Sequence, residues 1–353
     1  MLVSQPVPDV APNPIDSVPS NSISWKHLIA PAEPFLASVA QRLAEQINEF
    51  ERDIAVYAEY ALTNQGKQLR PALVALSGGA SGKVTDAHVM VAVIIEMVHL
   101  ATLVHDDVMD EARIRRSRPT LAANWGNEIS VLLGDCLFAH ALKLAAGFPT
   151  TEICRAVATA TNTVCSGEIL QTQRRRCFDL SRADYFKMLE MKTGELFALS
   201  CDLGACLSGA APAQRASLRA YGMFTGTAYQ VYDDCLDLFG SETAVGKSLG
   251  TDLAKGKLTL PVLLALERAS TTERARMESL INGWQPTDLP ELVEILQRHQ
   301  TLHESQRAVQ SQLDLARRCL VDLPDSPSNS ALSALADYLD QQTEALGINL
   351  GRL

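Results

Sequence analysis

The 353-residue chain carries no excess of positive charge: 41 acidic side chains against 31 basic ones leave a formal net charge of −10. That balance excludes a strongly basic nucleic-acid binder. It also has no C-x-x-C pair. Its eight cysteines, at positions 136, 154, 165, 177, 201, 206, 235 and 319, are scattered through mostly apolar stretches. This excludes a disulfide framework or a zinc site and marks them as reduced packing residues. No basic segment followed by an apolar run opens the sequence, so a signal peptide is not expected. The longest apolar stretch, residues 89–104, is broken by Glu96 and His99 and reads as too short and too polar to span a membrane. No segment alternates apolar and polar residues long enough to argue a sheet, and no tandem repeat is visible. What these absences leave is a soluble, cytoplasmic protein. A hydrophobic content of 47% excludes disorder of the whole chain.

Seven of the 16 prolines fall in the first 34 residues. Residues 1–23 therefore read as a disordered leader, and residues 24–353 as one all-α domain with a central cavity. Phe35, Leu36, Val39, Leu43, Ile47, Phe50, Ile54 and Val56 recur mostly at three- and four-residue spacings, the period of an amphipathic helix. The same character returns over 86–109, 127–146, 151–171, 182–208, 213–239, 258–269, 291–299, 303–321 and 331–344. Breaks are expected at 77–82, 118–119, 147–149, 240–257, 283–290 and 323–330, where Gly, Pro, Asp and Ser cluster. Segment 89–104 is apolar nearly all round, which predicts a helix in the middle of the bundle.

That helix ends in Asp106, Asp107 and Asp110. Four residues apart, Asp106 and Asp110 lie on one helix face, one turn from each other. A lone D-x-x-x-D pattern is commonly no more than a solvated acidic helix end. Here it follows an apolar helix, and it has a second copy in Asp233, Asp234 and Asp237, again after an apolar run. Two such walls facing one cavity would repel strongly unless cations neutralise them. Hard carboxylate oxygens suit Mg2+, which bridges one or two carboxylates to substrate phosphates. Basic patches accompany the acids. Arg113, Arg115, Arg116 and Arg118 follow the first cluster; Lys247, Lys255 and Lys257 follow the second. Lys67 and Arg70 form a third patch, and Lys192 beside Thr193 a fourth. Each alone suits a solvated loop; together with the acidic walls they read as sockets for phosphorylated ligands.

In order along the chain these motifs are G-K-x-x-R-P (66–71), E-M-x-H (96–99), D-D-x-x-D (106–110), R-R (115–116), G-D (134–135), G-E-x-x-Q (167–171), K-T (192–193), Q-x-x-D-D-x-x-D (230–237) and G-K-x-x-G-x-D-L-x-x-G-K (246–257). From about residue 40 to residue 266 the chain closely resembles the trans-isoprenyl diphosphate synthases, the polyprenyl synthetases. The resemblance implies an all-helical fold, head-to-tail condensation of isopentenyl diphosphate with an allylic diphosphate, and a homodimer. It implies several Mg2+, about three per site, held by the six aspartates. Asp106, Asp110 and Asp233 would be direct ligands, with Asp107, Asp234 and Asp237 completing the shell. Arg115, Lys192 and Lys257 would grip the allylic diphosphate, with Lys247 nearby. Lys67, Arg70, His99 and Arg116 would take isopentenyl diphosphate, and Thr193 and Gln230 would line the reacting centre. His105 has no role in that scheme beyond hydrogen bonding among the aspartates.

The family's product grows beside the first aspartate helix. Ala101, five residues and roughly 7.5 Å before Asp106, with Thr102 beside it and Val98 a turn earlier, sets no bulky floor there. A long all-trans product is expected, unless Met97, Leu133 or the 151–171 helix closes the tunnel. Two residues depart from the family pattern: Ser117 stands where Gly usually follows the paired arginines, and Gln68 where a basic residue is common. The Ser is expected to set the arginine loop differently. The rival readings are a short-chain synthase, a class I terpene cyclase, a subunit of a heteromeric synthase and a plain helical scaffold. The intact second aspartate cluster and the Lys67, Arg70, His99 socket argue against the cyclase, and the six retained aspartates against a non-catalytic subunit. A plain scaffold would gain no thermal stability from a diphosphate analogue with Mg2+.

Overall fold

The computed structural model describes residues 28–63, 66–241 and 249–347; the 1–23 leader and Lys247 lie outside the described residues. Two apolar helices organise the molecule. Helices α1 (Glu33–Gln46), α2 (Arg52–Leu62) and α3 (Leu69–Ser81) lead to α4 (Asp86–Met109), the apolar helix expected in the middle of the bundle. Ile94, Ile95, Met97 and Ala101 on α4 are fully buried. Around it pack α1, α2, α6 (Asn127–Ala146) and α7 (Thr151–Gln173), making one aliphatic core. The second organising helix is α10 (Pro212–Phe239). It buries Val231, Cys235 and Leu238 against α12 (Leu260–Arg268), α13 (Thr271–Asn282), α14 (Leu289–Arg298) and α15 (Thr301–Cys319). A third core joins α3 to α9 (Glu195–Leu207) and α16 (Pro327–Glu344). Short α5 (Leu121–Trp125), α8 (Arg182–Leu189) and α11 (Thr251–Ala254) complete the set.

The apolar pattern placed most helices well and misread several boundaries. The run from Phe35 to Val56 is two helices, because the backbone leaves the helix at Phe50 (φ −88°, ψ 150°). Ile47 and Phe50 still pack on the α4 core, so the apolar spacing persists across the bend. The break expected at 77–82 is helical to Ser81. Gly78 and Gly79 sit where a Cβ would run into His88 and Ser328, so they serve close packing and not a turn. Helix α13, missing from the expected segments, confines its apolar contacts to Met277, Leu280 and Ile281 in its C-terminal half; Ser270, whose Oγ accepts from the Glu273 N–H at 3.3 Å, starts it. The expected break at 118–119 is strand β2 (Arg118–Pro119), paired antiparallel with β1 (Ile114–Arg115). Its turn residues Arg116 (φ 50°) and Ser117 (φ 60°) are both left-handed, as a two-residue hairpin turn demands. Ser117 thus takes the backbone region that Gly favours, and the hairpin forms with Ser in place.

Among the described residues two helices, α4 and α6, are long and apolar enough to cross a membrane by length and composition, α4 containing the 89–104 stretch that reads as too short and too polar. The most apolar window of α4 is 72% buried inside the protein, as a core helix requires; that of α6 is 39% buried.

Where α9 crosses α10 and α3, two glycines set the approach. A Cβ on Gly222 would meet the Phe197 carbonyl, and one on Gly204 the Val74 carbonyl, both inside van der Waals contact. Backbone atoms cannot give way as side chains do. Gly222→Ala is therefore expected to lower unfolding stability by about 1–3 kcal/mol, measured by urea denaturation, while an exposed Ala→Gly control elsewhere on α10 changes it by less.

Candidate active site

Both acidic clusters sit in the last turns of their helices, α4 and α10, whose C-terminal ends are already the negative pole of the helix dipole. The structure divides the six carboxylates into two kinds. Asp107, Asp234 and Asp237 are buried and occupied. Asp107 Oδ1 accepts from Arg115 Nε at 2.8 Å. Asp234 accepts from Tyr185 OH at 2.6 Å and from Gln230 Nε2 at 2.9 Å. Asp237, with no exposure at all, accepts from Thr251 Oγ1 at 2.7 Å and from the Asp252 N–H at 3.1 Å. It pins the start of α11, and its backbone oxygen accepts from Gly250 N–H at 2.7 Å. Burial, with Asp252 adding to it, pushes the Asp234 carboxyl well above the usual range. Burial also raises Asp107, with Arg115 opposing.

Asp106, Asp110 and Asp233 are half-buried. Asp106 Oδ2 lies 3.6 Å from Lys192 Nζ, while its Oδ1 is buried without a hydrogen-bond partner. Asp110 is gripped on both oxygens: Oδ1 by Arg175 Nη2 at 2.9 Å, Oδ2 by Lys257 at 2.8 Å and Lys255 at 3.2 Å. Burial works against its ionisation, but Lys257 and Lys255 hold the carboxyl below the usual range. Because Lys255 and Lys257 follow the second cluster, these contacts bring the two acidic walls to one cleft. Gln171, Lys192, Gln230, Asp234, Asp252 and Lys257 line it.

Lys192 and Thr193 lie in a π-helical turn, Glu190–Gly194, between α8 and α9. Such turns insert a residue into a helix and are frequent at functional sites. Lys192 Nζ donates to Gln171 Oε1 at 3.1 Å and pairs with Glu168 at 2.5 Å. Gly167 lets α7 come against the Lys192 backbone, where a Cβ would sit 2.9 Å from its nitrogen. The G-E-x-x-Q motif is thus the holder of Lys192, a role the sequence alone did not assign. Thr193 Oγ1 donates to Gln230 Oε1 at 2.8 Å, and Gln230 passes the chain on to Asp234.

A second cationic socket forms along α4 about two turns before the aspartates, around Glu96 and His99. Arg70 is half-buried, with its guanidinium 5.0 Å from the Phe197 ring centroid and its buried Nε without a hydrogen-bond partner. Gly66 packs on the Arg116 guanidinium, where a Cβ would come within 2.5 Å of it. Buried Glu96 faces Arg70 and Arg116; burial raises its carboxyl and the two arginines pull it back. His99 belongs to the same group, and Lys67, half-buried, adjoins Gly66 in the chain. His105 does not join the aspartates. Its Nε2 hydrogen-bonds the Val131 carbonyl of α6 at 3.0 Å, over Gly134, whose missing Cβ makes the room. Arg175, Lys255, Glu168, Tyr185 and Glu96 are site residues that had no assigned role. Of these, Glu168 and Glu96 stood inside quoted motifs and Lys255 beside Lys257; Tyr185 and Arg175 carried no pattern.

The residues fit Mg2+. Among the described residues no three acids converge into a ready-made metal cage. Mg2+ asks for one or two carboxylates with the remaining positions filled by water and phosphate, and Asp106, with a buried unpaired oxygen one turn from Asp110, offers that.

Burial, with Arg70, Arg116 and Arg115 adding to it, holds His99 well below the ordinary imidazole range. The folded chain keeps His99 neutral, whereas the unfolded chain protonates it near pH 6.5, so this contribution to stability is full above about pH 6.5 and is lost as pH falls below it. His99→Gln is expected to shrink the drop in melting temperature between about pH 7.5 and 5, followed by calorimetry; an unchanged drop would show His99 protonating freely in the fold.

Comparison with known proteins agrees with this architecture. The family model for polyprenyl synthetase matches residues 51–298. The chain is 32% identical to the octaprenyl diphosphate synthase of Escherichia coli over 308 residues, covering 87% of this chain and 95% of that one. It is also 32% identical to a short chain isoprenyl diphosphate synthase of Methanothermobacter thermautotrophicus, over 85% of this chain and 94% of that one. Its fold superimposes on the crystal structure of a polyprenyl synthase from Caulobacter crescentus, complexed with calcium and isoprenyl diphosphate. The TM-score is 0.85 and the identity 33%, over 91% of this chain and 99% of that chain. On a family match of that extent, two full-length relatives and a shared all-helical fold, the chain belongs to the polyprenyl synthetase family of trans-prenyltransferases.

Proposed function

We propose that the chain condenses isopentenyl diphosphate head-to-tail with an allylic diphosphate to make a long all-trans polyprenyl diphosphate, as a Mg2+-dependent cytoplasmic homodimer. The observation that carries the reading is the Asp110 contact with Lys255 and Lys257, which joins one acidic wall to the basic loop of the other across a single cleft.

In this scheme Asp106, Asp110 and Asp233 hold Mg2+, and bound Mg2+ supplies neutralisation of the diphosphate that must leave. Lys192, Lys257 and Arg115 grip that diphosphate, and Lys192 is preset by Glu168 and Gln171. Arg70, Arg116, Lys67 and neutral His99 hold isopentenyl diphosphate about two turns earlier along α4. The Thr193–Gln230–Asp234–Tyr185 chain of hydrogen bonds fixes the side chains between the two sockets, so the preorganised dipoles do not reorient during reaction. The aliphatic walls of α4, α6 and α7 exclude water from the allylic cation. The departing diphosphate takes the proton, and no side-chain base is invoked.

Identity alone does not choose product length, since relatives named as octaprenyl and as short-chain synthases match equally well. The small side chain of Ala101 supports the long product, since it sets no bulky floor. Met97, Leu133 and Val164 of the 151–171 helix share its buried aliphatic cluster and have to part for a long chain to pass, and Thr102 turns its hydroxyl back to the His99 carbonyl at 2.6 Å. The purified protein with isopentenyl diphosphate, farnesyl diphosphate and Mg2+ is expected to give a ladder of chains ending well beyond geranylgeranyl. Ala101→Phe is expected to shorten it to the geranylgeranyl range with the first condensation retained. A wild-type ladder that stops at geranylgeranyl would remove the long-chain reading.

The homodimer reading is supported by the outer side of α6 and α7, where Val131, Leu132 (60% exposed) and Ile169 (59%) stand uncovered in one chain. A second copy covering this face would account for an α6 apolar enough for a core helix yet open outward. Light scattering is expected to give a dimer for the wild type and a monomer for Leu132→Asp; a monomeric wild type would remove the reading.

A further inference from the structure

The run Arg174, Arg175, Arg176 closes α7 and belongs to none of the motifs above. Arg174 and Arg176 are exposed, Arg174 at the lip of the cleft it helps to line, while the Arg175 side chain is 29% exposed and reaches Asp110. Nη2 donates to Asp110 Oδ1 at 2.9 Å, and Nε is buried without a hydrogen-bond partner. The loop is tied to the basic segment after the second acidic wall. Arg176 N–H donates to the Gly256 carbonyl at 2.7 Å, and Gly256, at φ +72°, lies against the Arg176 side chain. Arg175 is thereby carried on the same unit as Lys255 and Lys257.

The charge around Asp110 is lopsided: one carboxylate answers to Arg175, Lys255 and Lys257 together. Three cations on one anion, one of them with an unused buried N–H, suit a ligand of higher negative charge entering the cleft. We propose that Arg175 is a further substrate-binding residue, gripping the diphosphate of the allylic substrate through its guanidinium fork when Asp110 turns to its metal. The proposal rests on the prenyl-transfer reading but tests separately from it. A planar fork on a phosphate makes two parallel hydrogen bonds, whereas a lysine ammonium acts as a point charge.

The test uses the full chain and inorganic pyrophosphate with Mg2+, titrated by calorimetry, beside steady-state kinetics of both substrates. Arg175→Gln is expected to weaken pyrophosphate binding about tenfold and to raise KM for the allylic diphosphate by a similar factor. KM for isopentenyl diphosphate should stay within about twofold, and Arg175→Lys should recover part of the loss. Unchanged pyrophosphate binding in Arg175→Gln would overturn the assignment and leave Arg175 as a brace for Asp110. An equal rise in both KM values with a lowered melting temperature would overturn it too. A wild type that binds pyrophosphate but forms no polyprenyl product, with binding lost in Arg175→Gln, would sustain the assignment while removing the proposed reaction.

Discussion

The structure depends on holding negative charge where helices are least able to bear it. Asp106, Asp107 and Asp110 end α4, and Asp233, Asp234 and Asp237 lie near the end of α10, so the carboxylates add to the negative poles of two largely buried helices. Nearly everything polar around them reads as compensation. Asp107 is paired with Arg115, Asp110 is ringed by three cations, Asp234 is hydrogen-bonded by Tyr185 and Gln230, and Asp237 caps the approach to α11. The carboxylates satisfied inside the protein cannot readily be given up to a ligand. Asp106 and Asp110, part-buried and answered by lysine and arginine heads, can; Asp107 also answers to an arginine but is buried, so exposure and partner together separate framework acids from working ones.

The charged groups around the clusters follow the same logic. Lys192 is a buried cation whose charge is sustained by Asp106 and Glu168 against the cost of burial. Glu96 does the converse for Arg70 and Arg116. Breaking one member of such a buried group leaves the other uncompensated, at a cost of roughly 3–5 kcal/mol, so the site is stable only as a set.

Much of this was legible in the chain, because helix period and carboxylate spacing are local properties. The helices over 86–109 and 127–146 have the bounds that their apolar pattern suggested, and Asp106 and Asp110 share a face because four residues nearly complete a turn. What stayed hidden depended on contacts between distant segments. Tyr185 reaches Asp234 across 49 positions and Arg175 reaches Asp110 across 65. No spacing rule announces either. His105 was misplaced for the same reason: nothing beside it in the chain says that Gly134 leaves room for its ring. Ser117 shows the reverse case, where a turn fixed by the hairpin imposes a left-handed backbone on a residue that would not choose it.

The π-turn at Glu190–Gly194 bears on how the chain can vary. It carries Lys192 toward α7 and Thr193 toward Gln230 on α10, and then continues without interruption into α9. Each residue of a helix advances its azimuth by about 100°, so removing one residue here would restore a regular helix and swing all of α9 by that angle against α3 and α10. Gly204 would leave Val74, and Phe197 would leave both Arg70 and Gly222. Length changes in this lineage should therefore accumulate in the loops before Ser181 and after Leu207 and be missing from the segment between them. In that stretch the fold constrains the number of residues itself, independent of which residues they are.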